Sequence, residues 1–166
     1  MHVLVPQWRK HRNIEVIVEG DLEEISTGAK RNNLLSISKG DYVCFIDDDD
    51  MIPDYYVEEI LKAVESNPDC VGFNGAIVHK DGRKEPVTYR AGNTTINRKG
   101  AVTICGIGHL NPVKREIALS VKFPEKSSGE DYEYAKALQP KLVTEYFIDK
   151  TMYFYLQDNK KRKDEK

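Results

Sequence analysis

Along this chain apolar positions recur first at β-type and then at helical spacing, and the two patterns alternate. Residues 2–5 and 14–18 are short strand-like runs, and residues 25–39 carry apolar side chains at helical spacing before a stop at Gly40. Tyr42-Val43-Cys44-Phe45-Ile46 is an unbroken apolar run of strand length. Pro53 suits the first position of the next helix, whose Val57, Ile60, Leu61 and Val64 form an i, i+3, i+4, i+7 stripe that ends at Asn67-Pro68. A β-α-β-α order predicts a parallel sheet. After the strand expected over 71–78 the pattern changes: Asp81-Gly82 reads as a hairpin turn, and 86–89, 94–97 and 101–105 read as short antiparallel pieces. A helix over 128–138 and strands over 142–148 and 152–156 complete the body. The charge run 158–166 reads as a solvated, flexible tail, with a basic docking tail as the alternative.

The 166 residues, 40% hydrophobic and 31% charged, suffice for one well-buried core, so a single domain over 1–157 is expected. Lys+Arg 25 against Asp+Glu 27 gives a formal net charge of -2, which makes no electrostatic case for nucleic acid as a partner. Cys44, Cys70 and Cys105 are scattered and lack a CxxC spacing, so they read as small core residues of a reducing compartment. No apolar stretch approaches the roughly 18 residues of a membrane span, and the start is too short for a signal peptide. A cytoplasmic location is expected, which makes the sequon Asn93-Thr94-Thr95 accidental.

The chemistry concentrates in Asp47-Asp48-Asp49-Asp50, at the end of the apolar run. Adjacent carboxylates repel by about 4 kcal/mol per close pair at an effective dielectric near 20, so they face open water or neutralise a cation. A buried strand that delivers them to its C-terminal end favours the cation, because ligands of open α/β sheets sit there and hard oxygens suit Mg²⁺ or Mn²⁺ carried in with a phosphate. On an extended backbone Asp47 and Asp49 share one side, and Asp48 and Asp50 the other. There is no GxxxxGK[ST], Gly106-Ile107-Gly108-His109-Leu110-Asn111 lacks the third glycine of a dinucleotide fingerprint, and an EF-hand register from Asp48 fails at Ile52 and Pro53. A metal-assisted phosphate site without a P-loop is what remains.

The stretches Gly28-Ala29-Lys30-Arg31-Asn32-Asn33-Leu34 and Lys39-Gly40-Asp41-Tyr42 through Asp50, with Pro53, together with Gly129-Glu130-Asp131 further on, resemble the family 2 glycosyltransferases. The resemblance runs from about Val3 to about Tyr155. It implies the α/β GT-A fold, with a mostly parallel central sheet flanked by helices and a smaller antiparallel part in the C-terminal half. It also implies a nucleotide-sugar donor, UDP-linked, a glycan or other hydroxyl acceptor, and Mn²⁺ or Mg²⁺. Carried over residue by residue, Pro6 and Trp8 would contact the donor base at the end of the first strand. Asp21, or Glu19 in a shifted alignment, would read its edge, and Arg31 would counter the diphosphate or brace the pocket. Asp47 would contact the ribose and Asp49 the metal, with Asp48 and Asp50 in support. Asp131 would be the general base of an inverting transfer, although Ser128 and Asp131 are also spaced as a capping box. His109 and Glu130 would lie near the sugar or acceptor. Alternatives are a sugar-phosphate nucleotidyltransferase, which needs a glycine-rich loop that Gln7-Trp8-Arg9-Lys10 lacks, and a non-catalytic binding module. The chain is expected to depart from the family in two ways: only residues 7–13 separate the first two strands, where a helix is usual, and no C-terminal acceptor or membrane domain is expected.

Overall fold

The computed structural model describes residues 7–20, 24–93, 97–100 and 102–157. The expected strand over 2–5 and the tail 158–166 lie outside those residues, as do Pro6, Asp21 and most of the expected piece 94–97. The elements are α1 (Thr27–Ile37), β1 (Tyr42–Val43), α2 (Tyr56–Val64), β2 (Cys70–Val78), β3 (Lys84–Tyr89), β4 (Asn97–Lys99), β5 (Val102–Cys105), β6 (Val113–Lys114), α3 (Arg115–Leu119), α4 (Glu130–Leu138) and β7 (Glu145–Leu156), with a 3₁₀ turn, Gln139–Lys141, after α4.

Local chemistry sets most of these boundaries. Ser26 caps α1, its hydroxyl accepting from Ala29 N at 3.2 Å. The start of α2 is capped from a distance: the buried Gln7 accepts from Val57 N at 3.0 Å, and its amide donates to Pro53 O at 2.8 Å. Pro53 itself lies just before the helix, which begins at Tyr56. The turn after β2 closes with His79 N donating to Arg83 O at 2.9 Å, and Gly82 there holds a φ of 80° that favours glycine. Residues 14–18 form no strand, and Val16 and Val18 are exposed.

The sheet corrects the expectation of mostly parallel strands. β2 carries β7 along one edge in parallel; its other edge pairs antiparallel with β6 near Cys70 and with β3 from Phe73 to Val78. β1 pairs antiparallel with β6, and β4 with β5. β3 with β5 is the second parallel pair. The β-α-β order gives the observed direction of β1 and β2 but not their adjacency. β1 and β2 each run antiparallel to β6, hence parallel to each other, but β6 lies between them. The intervening strand is only two residues long, too short to announce itself by periodicity.

Alternate residues of β2 enter two different cores, as strand geometry requires. Val71 and Phe73 join Ile52, Tyr56, Val57, Ala63, Leu110, Ile148, Met152 and Tyr153 under α2. Cys70 joins Leu35, Ile107, Val113, Ala118, Phe123, Tyr134 and Leu138 with α1, α3 and α4. The two strands expected over 142–156 form one strand with an irregular middle. Phe73 and Gly75 are two residues apart, whereas their partners Ile148 and Tyr153 are five apart, so β7 accommodates three extra residues there. The bulge lets the consecutive Met152 and Tyr153 both be buried. Among the described residues no helix is long and apolar enough to cross a membrane.

Helix α1 is fitted tightly to the segment before α4. Gly28 N donates to Lys126 O at 3.1 Å, and a Cβ on Gly28 would penetrate the carbonyl oxygen of Pro124. Helix propensity alone would favour alanine at this position by about 1 kcal/mol. The contact is with backbone, which cannot swing aside, so Gly28→Ala should destabilise by about 1–3 kcal/mol in urea unfolding.

Candidate active site

β1 delivers the aspartates, although not as an extended row. Phe45 N donates to His109 O at 2.8 Å, and a tight turn follows in which Asp50 N donates to Asp47 O at 3.2 Å. The extended reading put Asp50 opposite Asp47. The turn instead gathers Asp47, Asp49 and Asp50 so that one carboxylate oxygen from each lies within 4.8 Å of the others, and it leaves Asp48 exposed. Hard oxygens grouped in this way suit Mg²⁺ or Mn²⁺.

Such a cluster needs compensating positive charge and donors, which the tertiary fold provides. Arg31 on α1 is 7% exposed; its Nη2 lies 2.9 Å from Asp47 Oδ1 and its Nη1 2.8 Å from Glu130 Oε1. The guanidinium also stands 6.0 Å from the ring of Phe45 and 5.7 Å from that of Phe123. Arg31 thereby links the aspartate turn to the first turn of α4. Asp50, buried, accepts from Tyr153 Oη at 2.8 Å and from Leu156 N at 2.9 Å. The same Tyr153 oxygen accepts from Asp47 N at 3.2 Å. Burial first, then the carboxylates of Asp50 and Asp47, push the Tyr153 phenol well above its ordinary pKa, so it remains a donor.

His109 lies at the edge of the cluster, its Nε2 3.8 Å from Asp47 Oδ2. That nitrogen is buried and has no hydrogen-bond partner among the described residues. Glu130 and Asp131 open α4 differently from the capping-box expectation. Gly129, at φ 73°, is the cap residue and no side chain caps the helix. Glu130 is buried against Arg31, whereas Asp131 is exposed, its Oδ1 accepting from Tyr132 N at 2.8 Å. Asn32, next to Arg31, ties in the loop before α4: its side chain donates to Phe123 O at 2.9 Å and accepts from Phe123 N at 2.9 Å.

Of the remaining expected residues, Pro6 and Asp21 lie outside the described residues, and no hydrogen bond or ion pair among the described residues joins Trp8 or Glu19 to this cluster. Trp8 is half-buried and lies with Gln7 in a helical turn. Glu19 is exposed and accepts from Asn33 Nδ2 at 3.4 Å. No local signal marks Tyr153, and Asn32 stands in the motif around Arg31 without a role of its own. Tyr153 acts on an aspartate 103 residues away, and no spacing rule connects the two.

The model of glycosyl transferase family 2 matches residues 8–121. The chain belongs to glycosyl transferase family 2. No curated protein sequence matches it. Its fold is the GT-A fold of S. aureus TarS. Residues 1–349 of TarS in complex with UDP-GlcNAc superpose with a TM-score of 0.62 at 16% identity, covering 95% of this chain and 46% of that one. The UDP complex of the same fragment gives a TM-score of 0.59 at 16% identity, covering 92% of this chain and 46% of that one. A longer TarS structure gives 0.58, again at 16% identity, covering 92% and 28%. This family 2 chain thus spans less than half the length of these TarS structures. The match of residues 8–121 includes Arg31, the aspartates and His109, and ends before α4.

Arg31 is the group on which two buried or half-buried carboxylates depend. Removing one partner of a buried ion pair leaves the other charge uncompensated, which costs about 3–5 kcal/mol. Arg31→Ala should lose stability of that order in chemical denaturation. Arg31→Lys, a point charge without the two-pronged fork, should recover only part of it.

Proposed function

We propose that this chain transfers a sugar from a nucleotide-sugar donor, UDP-linked, to a hydroxyl acceptor with inversion at the anomeric carbon. The observation that carries this reading is the three-carboxylate cluster Asp47, Asp49 and Asp50, braced by Arg31 beside the start of α4. Family membership supports it, as do the UDP-GlcNAc and UDP bound by TarS structures of the same fold. Asp49, with Asp47, would hold Mn²⁺ or Mg²⁺, whose chemistry is to stabilise the charge that gathers on a departing nucleoside diphosphate. Asp47 would also meet the ribose, and Trp8 with Pro6 and Asp21 or Glu19 would form the base pocket. Asp48, exposed at the turn, would support the nucleotide from outside the cluster.

Glu130 and Asp131 divide two tasks. Glu130 is held by the Arg31 guanidinium and serves as a brace. Asp131, one residue on and open to solvent, is the carboxylate an acceptor can reach. In this reading it takes the proton from the acceptor hydroxyl as that oxygen attacks the anomeric carbon, the bond to the diphosphate oxygen breaks on the opposite face, and the configuration inverts. His109, beside Asp47, lies where it can meet the sugar or the diphosphate.

Two measurements test the proposal. UDP should bind in Mn²⁺, and by calorimetry the affinity should largely vanish both in EDTA and in Asp49→Ala; equal affinity with and without metal removes the metal assignment. Turnover, read as UDP release from a panel of nucleotide sugars, should fall roughly 10²–10⁴-fold in Asp131→Asn with UDP affinity and Tm almost unchanged. Asn can still accept from Tyr132 N as Asp131 does, so the variant removes the charge without removing that hydrogen bond. Wild-type turnover in Asp131→Asn would remove the base. Pyrophosphate chemistry would point to a nucleotidyltransferase, and binding without turnover to a non-catalytic module.

A further inference from the structure

The four aspartates are not equivalent, and the difference is made by a strand from the far end of the chain. Asp50 is the buried member, and hydrogen bonds reach both its carboxylate oxygens from β7: Oδ1 accepts from Leu156 N at 2.9 Å and Oδ2 from Tyr153 Oη at 2.8 Å. Tyr153 Oη also accepts from Asp47 N at 3.2 Å, so one phenol oxygen touches both ends of the turn. Backbone pairing reinforces the contact, Met51 N donating to Phe154 O at 3.1 Å and Phe154 N to Met51 O at 2.8 Å. Apart from the one to Asp47 N, these bonds converge on the last residue of the acidic run and the one after it.

We infer that Tyr153 is a positioning residue that locks the aspartate turn through Asp50 and Asp47, so that Asp50 is the anchor of the turn and not a ligand of the metal. The inference rests on the metal-dependent donor binding proposed above and assigns the cluster's roles within it. The physical reason is electrostatic. Three carboxylates within 4.8 Å of one another repel, and a short turn without an anchor would relieve that repulsion by swinging one carboxylate out to water. Hydrogen bonds to a charged acceptor are among the stronger ones, and Tyr153, 1% exposed, offers its bond out of reach of competing water. The anchor holds Asp50 and the Asp47 backbone in place before any cation arrives, so the cation meets a preformed site. The β7 bulge is what brings Tyr153 here, because it places Met152 and Tyr153 together on the buried side of the strand. A phenylalanine could fill the same space but could neither donate to Asp50 nor accept from Asp47 N.

The test is Mn²⁺ uptake by the intact chain in the presence of UDP, followed by the loss of the free-ion signal in electron paramagnetic resonance, with unfolding temperature measured in parallel. Wild-type protein that takes up no Mn²⁺ with UDP would refute the metal-dependent reading itself. Given wild-type uptake, Tyr153→Phe should weaken Mn²⁺ affinity roughly 10- to 100-fold, the scale of a lost hydrogen bond to a charged group. Saturating Mn²⁺ should restore most of the UDP affinity. Tyr153→Phe with wild-type Mn²⁺ affinity would overturn the inference, whatever its melting temperature. If Tyr153→Phe does not fold, Asp50→Asn decides. As an anchor, Asn still accepts from Leu156 N and can donate to the Tyr153 oxygen, so uptake should stay within roughly tenfold of wild type, whereas Asp49→Asn abolishes it. Asp50→Asn losing Mn²⁺ as completely as Asp49→Asn would make Asp50 a ligand and overturn the assignment.

Discussion

One guanidinium holds the centre of this molecule together. Arg31 is buried, and a buried charge is tolerated only when opposite charge and hydrogen bonds surround it. It meets Asp47 from the turn after β1 and Glu130 from the first turn of α4, segments far apart in the chain. This one side chain therefore ties the three elements together. The aromatic rings of Phe45 and Phe123 beside it keep water from screening those pairs. Asn32, the next residue on the helix, grips the backbone of Phe123 with both ends of its amide. Helix α1 thus joins the cluster that would hold the donor to the helix that would carry the base.

The sheet explains why so few residues suffice to form the cluster. β2 is the strand around which the others are arranged, with β7 on one edge and β6 and β3 on the other. β6 and β7 flank β2 at Cys70, where β6 also pairs with β1, the strand that leads into the aspartates. β7 then runs on past its bulge to reach the turn with Tyr153, Phe154 and Leu156. The acidic turn is accordingly fixed on one side by Arg31 and on the other by β7. Both supports come from outside the acidic segment, as repelling carboxylates require.

Shared fold and family narrow the chemistry without specifying the acceptor. The chain matches less than half the length of the TarS structures, and acceptor choice in such folds depends on variable loops and on what surrounds the core domain. The family match ends before α4, and it is the Arg31–Glu130 pair that ties Gly129-Glu130-Asp131 to the matched part of the chain. Here the geometry separates two adjacent acids. Glu130 is turned into the protein and paired, and Asp131 faces solvent.

By itself the sequence determined those features that local physics governs. Helix α1 and the α2 stripe, strand β2, the Asp81-Gly82 turn and the acidic run at a strand's end all follow from periodicity, turn residues and charge within a few positions of one another. The motifs around Arg31 and Asp47 also led to the family and the GT-A fold. Tertiary structure alone decided what depends on distant partners. It placed the two-residue β6 between β1 and β2 and so made the sheet mostly antiparallel. It also folded the aspartates into a turn that brings Asp50 beside Asp47 and turns Asp48 out. The three extra residues in β7 set Tyr153 against that turn, and Gln7 capped a helix fifty residues away. Local spacing carries none of this, because a repelling cluster is stable only where other parts of the chain supply its donors and countercharge, and only folding brings those parts together.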